Sequence, residues 1–132
     1  MTPRPDMFAA ILKADPTFDP VWQAFRNRWS AEADLPMHVA ATALARHLIA
    51  KLAAKDTAAF PAIFAVVEQW LAHSDRYVRR VADIGLIEDL QNARLHKETN
   101  PDDFQPWLGP KAKAARSRVG ASWLELDAKD AS

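Results

Sequence analysis

The stretch from Ser74 to Asn92, SDRYVRRVADIGLIEDLQN, limits the fold more than any other part of this chain. Ser74 offers an acceptor to a first-turn N–H, and Asp75 places negative charge at the positive end of a helix dipole. At about 100° per residue, Tyr77, Val81 and Ile84 share one stripe, with Val78 and Gly85 beside it. Arg76, Arg79, Arg80 and Asp83 take the opposite side, so the first half is amphipathic. From Gly85 onward Leu86, Ile87 and Leu90 spread round the cylinder, and this half is expected to be enclosed on most sides by other helices. Glu88 falls on the Tyr77, Val81, Ile84 stripe, where a carboxylate has to be hydrogen-bonded, paired or open to a cleft.

The remaining sequence supplies the enclosing helices. Pro5 and Asp6 suit a first turn, and Phe8, Ile11 and Leu12 make the apolar edge of a helix that Pro16 ends. Asp19 and Pro20 read as a cap and first position, followed by Trp22, Phe25 and Trp29 at helical spacing; this stripe is read as core packing rather than a ligand cage. Pro36 opens a third helix to about Ala54 with a Leu44, Leu48, Leu52 ridge, and Ala41 and Ala45 let a neighbour approach. His47 borders Lys51 at the edge of that ridge. Phe60 to Ala72 is a fourth helix with Pro61 in its first turn. Its short connection to the stretch at 74–92 predicts antiparallel neighbours, and helices three to five are expected to pack as consecutive hairpins. Asn100, Pro101, Asp102 and Asp103 read as a cap, an N1 proline and an acidic first turn, ending near Leu108 and Gly109. Pro110 begins a last helix with Ala112, Ala115, Val119, Trp123 and Leu126 on one stripe, and residues 127–132 form a frayed tail.

With 132 residues, 49% of them apolar, and only three glycines, the chain fits one all-α domain of six to seven helices and buries roughly two thirds of its unfolded surface. The formal net charge is zero, which removes the global electrostatic argument for nucleic acid or an anionic membrane. Lys111, Lys113, Arg116 and Arg118 form a local basic group near Trp107, but Asp102 and Asp103 precede it, and direct nucleic-acid binding is disfavoured. There is no cysteine, so disulfides and thiolate metal sites are excluded. The histidines lack H-x-x-x-H spacing, there is no glycine-rich phosphate loop or G-x-S-x-G elbow, and no metal or cofactor is expected. The apolar run Met7 to Leu12 is too short for a signal core or a membrane span, so a cytoplasmic protein is expected.

Two resemblances add to this reading. Asp75, Val78, Arg79 and Ala82, followed by Gly85 and Leu86, resemble the second helix of a HEAT-type repeat, which implies HEAT-like antiparallel hairpins; no second copy of the pattern is present. FPAIFAVVEQWL, VRRVADIGLIEDLQN and WLGP together are similar to an uncharacterised bacterial family of small α-helical proteins. Its G-[FL]-[LI]-E-D-L-Q-N box is carried here by Gly85 to Asn92. That likeness covers roughly residues 36–124, leaves residues 1–35 outside, and implies the company of bacterial antagonism systems, in which compact helical proteins are immunity partners of toxins.

The expected function is therefore non-enzymatic protein binding, most specifically as an immunity protein neutralising a cognate toxin. Asp75, Arg76, Arg79, Arg80 and Asp83 are the candidate contact residues, since an exposed charged face suits a steered protein partner. Asp75, Arg79 and Asp83, four residues apart, would otherwise form a solvated ion-pair ladder. Glu88, Asp89, Gln91 and Asn92 are the candidate buried or pocket polar groups. Glu88 and Asp89 point about 100° apart and do not converge as a catalytic pair would. The alternative is a small-molecule-binding protein or enzyme with an interhelical pocket around Glu88.

Overall fold

The computed structural model describes residues 7–32, 35–92 and 99–117. Among them it is all-helical, with seven helices and no strand. The first turn expected at Pro5 and Asp6 and the stripe positions Val119, Trp123 and Leu126 lie outside the described residues.

Helix α1 (Met7–Ala14) buries Met7, Phe8 and Ile11. A 3-10 turn (Pro16–Phe18) follows, capped by the Asp15 side chain, which accepts from the Thr17 N–H. Helix α2 (Asp19–Arg28) thus begins directly out of that turn, and the capping carboxylate is Asp15 rather than Asp19. The aromatic stripe is core. Phe8 stacks on Trp22 at 4.9 Å and meets Trp70 at 5.2 Å, and the Trp70 indole donates to the Met7 carbonyl at 3.2 Å.

Helix α3 (Met37–Ala53) buries Ala40, Ala41, Leu44, Ala45 and Leu48, a nearly smooth face of small residues alternating with leucines. It closes with Lys55 in the left-handed region (φ 60), which turns the Asp56 N–H back to the Lys51 carbonyl at 2.8 Å and the Lys55 N–H to that of Leu52. Helix α4 (Phe60–Leu71) carries Phe60, Ile63, Phe64, Val67 and Trp70 inward.

The fifth rod, α5, runs as an α-helical turn (Arg76–Arg80), a π-helix (Val81–Ile87) and a last α turn (Glu88–Leu90). Its N-cap is Asp75, not Ser74: the Asp75 carboxylate accepts from the Tyr77 N–H at 2.8 Å. α3 packs chiefly along this π segment, two elements further on in the chain, while α4 lies against α1 and α5. The rod expected to be enclosed is thus central, although its main neighbour is α3.

A 3-10 helix (Pro101–Trp107) places Phe104 and Trp107 on Phe60, with ring centroids at 5.8 and 5.0 Å. Helix α6 spans residues 110–117 and buries Ala112 and Ala115. Its cap comes from far away in sequence: the Glu68 carboxylate on α4 accepts from the N–H groups of Lys111 at 3.0 Å and Ala112 at 2.8 Å. A Cβ at Gly109 would lie 2.4 Å from that carboxylate, so glycine leaves room for the cap. Glu68→Ala is expected to lower unfolding stability by about 1–2 kcal/mol in denaturant titration, the cost of losing a helix cap; an unchanged midpoint would mean that water replaces the carboxylate without loss.

Candidate functional site

Two polar arrangements could carry function, one enclosed and one exposed. The enclosed one starts from the stop of α1. Pro16 cannot continue the helix, and Asp15, fixed in extended conformation before it, is turned inward and left only 2% exposed. Its Oδ1 accepts from the Thr17 N–H at 3.1 Å and the Thr17 hydroxyl at 2.5 Å. Its Oδ2 lies 3.0 Å from His47 Nε2 and 3.6 Å from Lys51 Nζ. Those two residues are one turn apart on α3, so their side chains reach Asp15 together. Lys51 also donates to the Thr17 hydroxyl at 2.9 Å and to Asp56 at 3.1 Å, because the left-handed turn at Lys55 returns Asp56 to the end of α3. Burial alone would raise the Asp15 pKa; the hydrogen bonds from Thr17 and His47 and the charge on Lys51 outweigh it, and the carboxyl is held below its ordinary value. Every member has a partner. Such a satisfied network fixes helices in place, here α1 and the 3-10 turn on α3.

The exposed arrangement is on α5. Arg76 and Arg80 are exposed, Ile84 is 49% exposed, and Glu88 is half-buried. These four residues follow one another at four-residue intervals along the outer ridge. None of them makes a side-chain hydrogen bond or ion pair with another described residue.

This placement corrects the expected stripe. Ile84 faces solvent instead of the core, and Glu88 is on its ridge and not among buried apolar groups. The cause is the π-helix, whose i→i+5 hydrogen bonds, such as Glu88 N–H to the Asp83 carbonyl, put more residues in each turn than an α-helix. The buried set is consequently Val78, Val81, Ala82, Gly85, Leu86, Ile87 and Leu90.

The other candidate residues divide by what they touch. The Asp75 N–H donates to His73 Nδ1 at 3.0 Å, and Arg79 Nη1 donates to the carbonyls of His73 at 2.6 Å and Ser74 at 3.1 Å. Both residues therefore belong to the joint between α4 and α5. Asp83 is half-buried. Asp89 accepts from the Thr42 hydroxyl at 2.6 Å and ties α5 to α3. Gln91 and Asn92 are half-buried at the end of the rod, and Gln91 Nε2 is buried without a partner. A crevice of about 10 Å³ beside Gln91, Leu90 and Phe104 has room for about one water. A larger open depression of about 440 Å³ lies at Trp29, Arg26 and Asn27. Glu88 lines neither. Among the described residues no group of three or more His, Cys, Asp or Glu could hold a metal. No described helix is long and apolar enough to cross a membrane.

A family model described as a domain of unknown function, DUF7674, matches residues 8–122. The chain belongs to that family. The matched span takes in α1 and α2 as well as the α5 ridge and Glu68, and both polar arrangements lie within it. The family description assigns no activity, and no curated protein or solved structure matches the chain.

Proposed function

We propose that this member of the family is a cytoplasmic protein-binding protein that acts through the outer ridge of α5, and that its partner is a bacterial toxin which it neutralises as an immunity protein. One observation supports the binding role above the others. Arg76, Arg80, Ile84 and Glu88 make no side-chain hydrogen bond or ion pair with another described residue, whereas Asp15, Lys51, Glu68, Arg79 and Asp89 are all engaged in joining helices. The guanidinium groups would steer an acidic partner and raise the rate of encounter. Ile84 would lose its hydration at the contact, the kind of anchor that carries binding energy when ringed by polar groups.

The immunity role draws on the resemblance of the Gly85–Asn92 box to an uncharacterised family of small helical proteins, a resemblance that implies the company of bacterial antagonism systems. The mechanism is then steric and electrostatic: the ridge covers or distorts the toxin, and no chemical step is involved. An enzyme or small-molecule sensor built round Glu88 draws no support from a carboxylate on an outer ridge. Co-expression with the polypeptide encoded by the adjacent gene tests the proposal. A stable complex together with rescue of growth is the expected result; no complex and no rescue overturns it.

A further inference from the structure

The outer ridge of α5 runs straighter than the same row on an α-helix. Residues four apart fall about 40° further round an α-helix at each step, so from Arg76 to Glu88 the row would wind through about 120°. The α-helical turn (Arg76–Arg80) advances it in that sense. The π-helix that follows, Val81–Ile87, has more residues in each turn and takes the row back. Arg80, the exposed Ile84 and the half-buried Glu88 therefore stay in line along the outside of the rod.

The order of charges along that line decides what fits against it. The ridge is positive at Arg76 and Arg80, apolar at Ile84 and negative at Glu88, and none of these side chains pairs with another described residue. A uniformly acidic surface would set carboxylates against Glu88, a like-charge contact. A second copy of the ridge, turned by a two-fold axis through Ile84, makes no such contact. Ile84 then lies on its own counterpart, Arg80 faces Glu88 of the other copy, and the symmetry makes that pairing twice. Arg76 comes to the carboxyl end of the other rod, the negative end of its dipole.

We propose that the free protein is a dimer in which two α5 ridges pack antiparallel about Ile84, with Arg80 paired to Glu88 of the other copy on both sides of the axis. The inference rests on the reading of this ridge as the binding surface and adds its regulation: the second copy covers the ridge until a different partner displaces it. A single helical row is a small contact flanked by exposed ion pairs, so the dimer comes apart on dilution and loosens with salt. A weak dimer is one that a partner can open.

The test follows the full chain by sedimentation and light scattering from micromolar to millimolar concentration, where wild type is expected to pass from monomer to dimer. Arg80→Glu and Glu88→Arg each turn two attractions into two repulsions and should weaken the dimer at least about tenfold. Combining the two reversals restores opposite charges across the axis, and dimerisation should return. The chain has no cysteine, so Ile84→Cys supplies a second measurement. A residue on the axis meets its own copy, and this variant should form a disulfide-linked dimer under mild oxidation while Arg80→Cys does not. Adding the polypeptide encoded by the adjacent gene should convert the wild-type dimer into a complex with one copy of each chain.

Wild type that stays monomeric at every concentration overturns the dimer alone, and a complex with that polypeptide then still supports the binding role. A dimer that the double reversal fails to restore, or that cross-links as readily through Arg80→Cys as through Ile84→Cys, overturns the two-fold pairing. A dimer that remains intact in the complex overturns the displacement. A dimer that behaves as described while the polypeptide does not bind supports this inference and removes the proposed function.

Discussion

Asp15→Ala is expected to lower the unfolding free energy by about 3–5 kcal/mol, the range for removing one partner of a buried ion pair. The loss is far above that of a surface pair, because the variant leaves Lys51, 8% exposed, and His47 facing a space from which the countercharge has gone. Asp56 stays on Lys51, which puts the expected value toward the lower end. Asp15→Asn should cost less, since its amide oxygen can still accept from Thr17.

The same group predicts the acid side of the stability curve. The folded carboxyl holds its proton less tightly than the unfolded one, so below neutrality the unfolded state is the one that gains protons. The stability that Asp15 contributes is complete above its ordinary value of 3.8 and is lost as pH falls through its lowered folded value. Urea titrations at pH 7 and at intervals below pH 4 should therefore show the gap between wild type and Asp15→Asn closing toward low pH. A gap that stays constant would mean that the Asp15 charge is not what binds the network.

What the sequence disclosed and what it concealed follow from the range of the interactions. The all-α class and most helix boundaries rest on local features: Pro16, Pro36 and Pro61 at ends, and apolar spacings of three and four between them. Asp15 could be read only as part of a helix stop, because its partners are 32 and 36 positions away on α3 and meet it only after folding. Glu68 likewise looks like an ordinary polar residue on α4 until the start of α6 is brought to it. Ile84 failed for a different reason. A template of 3.6 residues per turn has no place for a π-helix, so it puts Ile84 inward and Glu88 with it. The sign of the error was nevertheless visible, since Leu86, Ile87 and Leu90 dropped out of phase just beyond Gly85. Apolar residues five apart were the signal to seek.

Gly85→Val is expected to destabilise the protein by about 3 kcal/mol, the upper part of the usual range for overpacking a close contact. α3 and α5 approach so closely at this point that a Cβ on Gly85 would stand 2.9 Å from the Ala41 Cβ and 3.5 Å from His38 Nδ1. Ala41 is fully buried, and its Cβ cannot rotate away, so the two helices must separate. Gly85→Ala should cost less, because alanine recovers about 1 kcal/mol of helix propensity against the same clash. Combining Gly85→Ala with Ala41→Gly clears the obstruction from the other side, and the pair should be more stable than the sum of the single changes implies. Denaturant midpoints of the four proteins measure that coupling, and strict additivity would show that the two residues are not in contact. Because Gly85 adjoins Ile84, helices forced apart there also re-aim the outer ridge. Gly85→Val, examined where it is still fully folded, should then bind more weakly than wild type although no ridge side chain has changed.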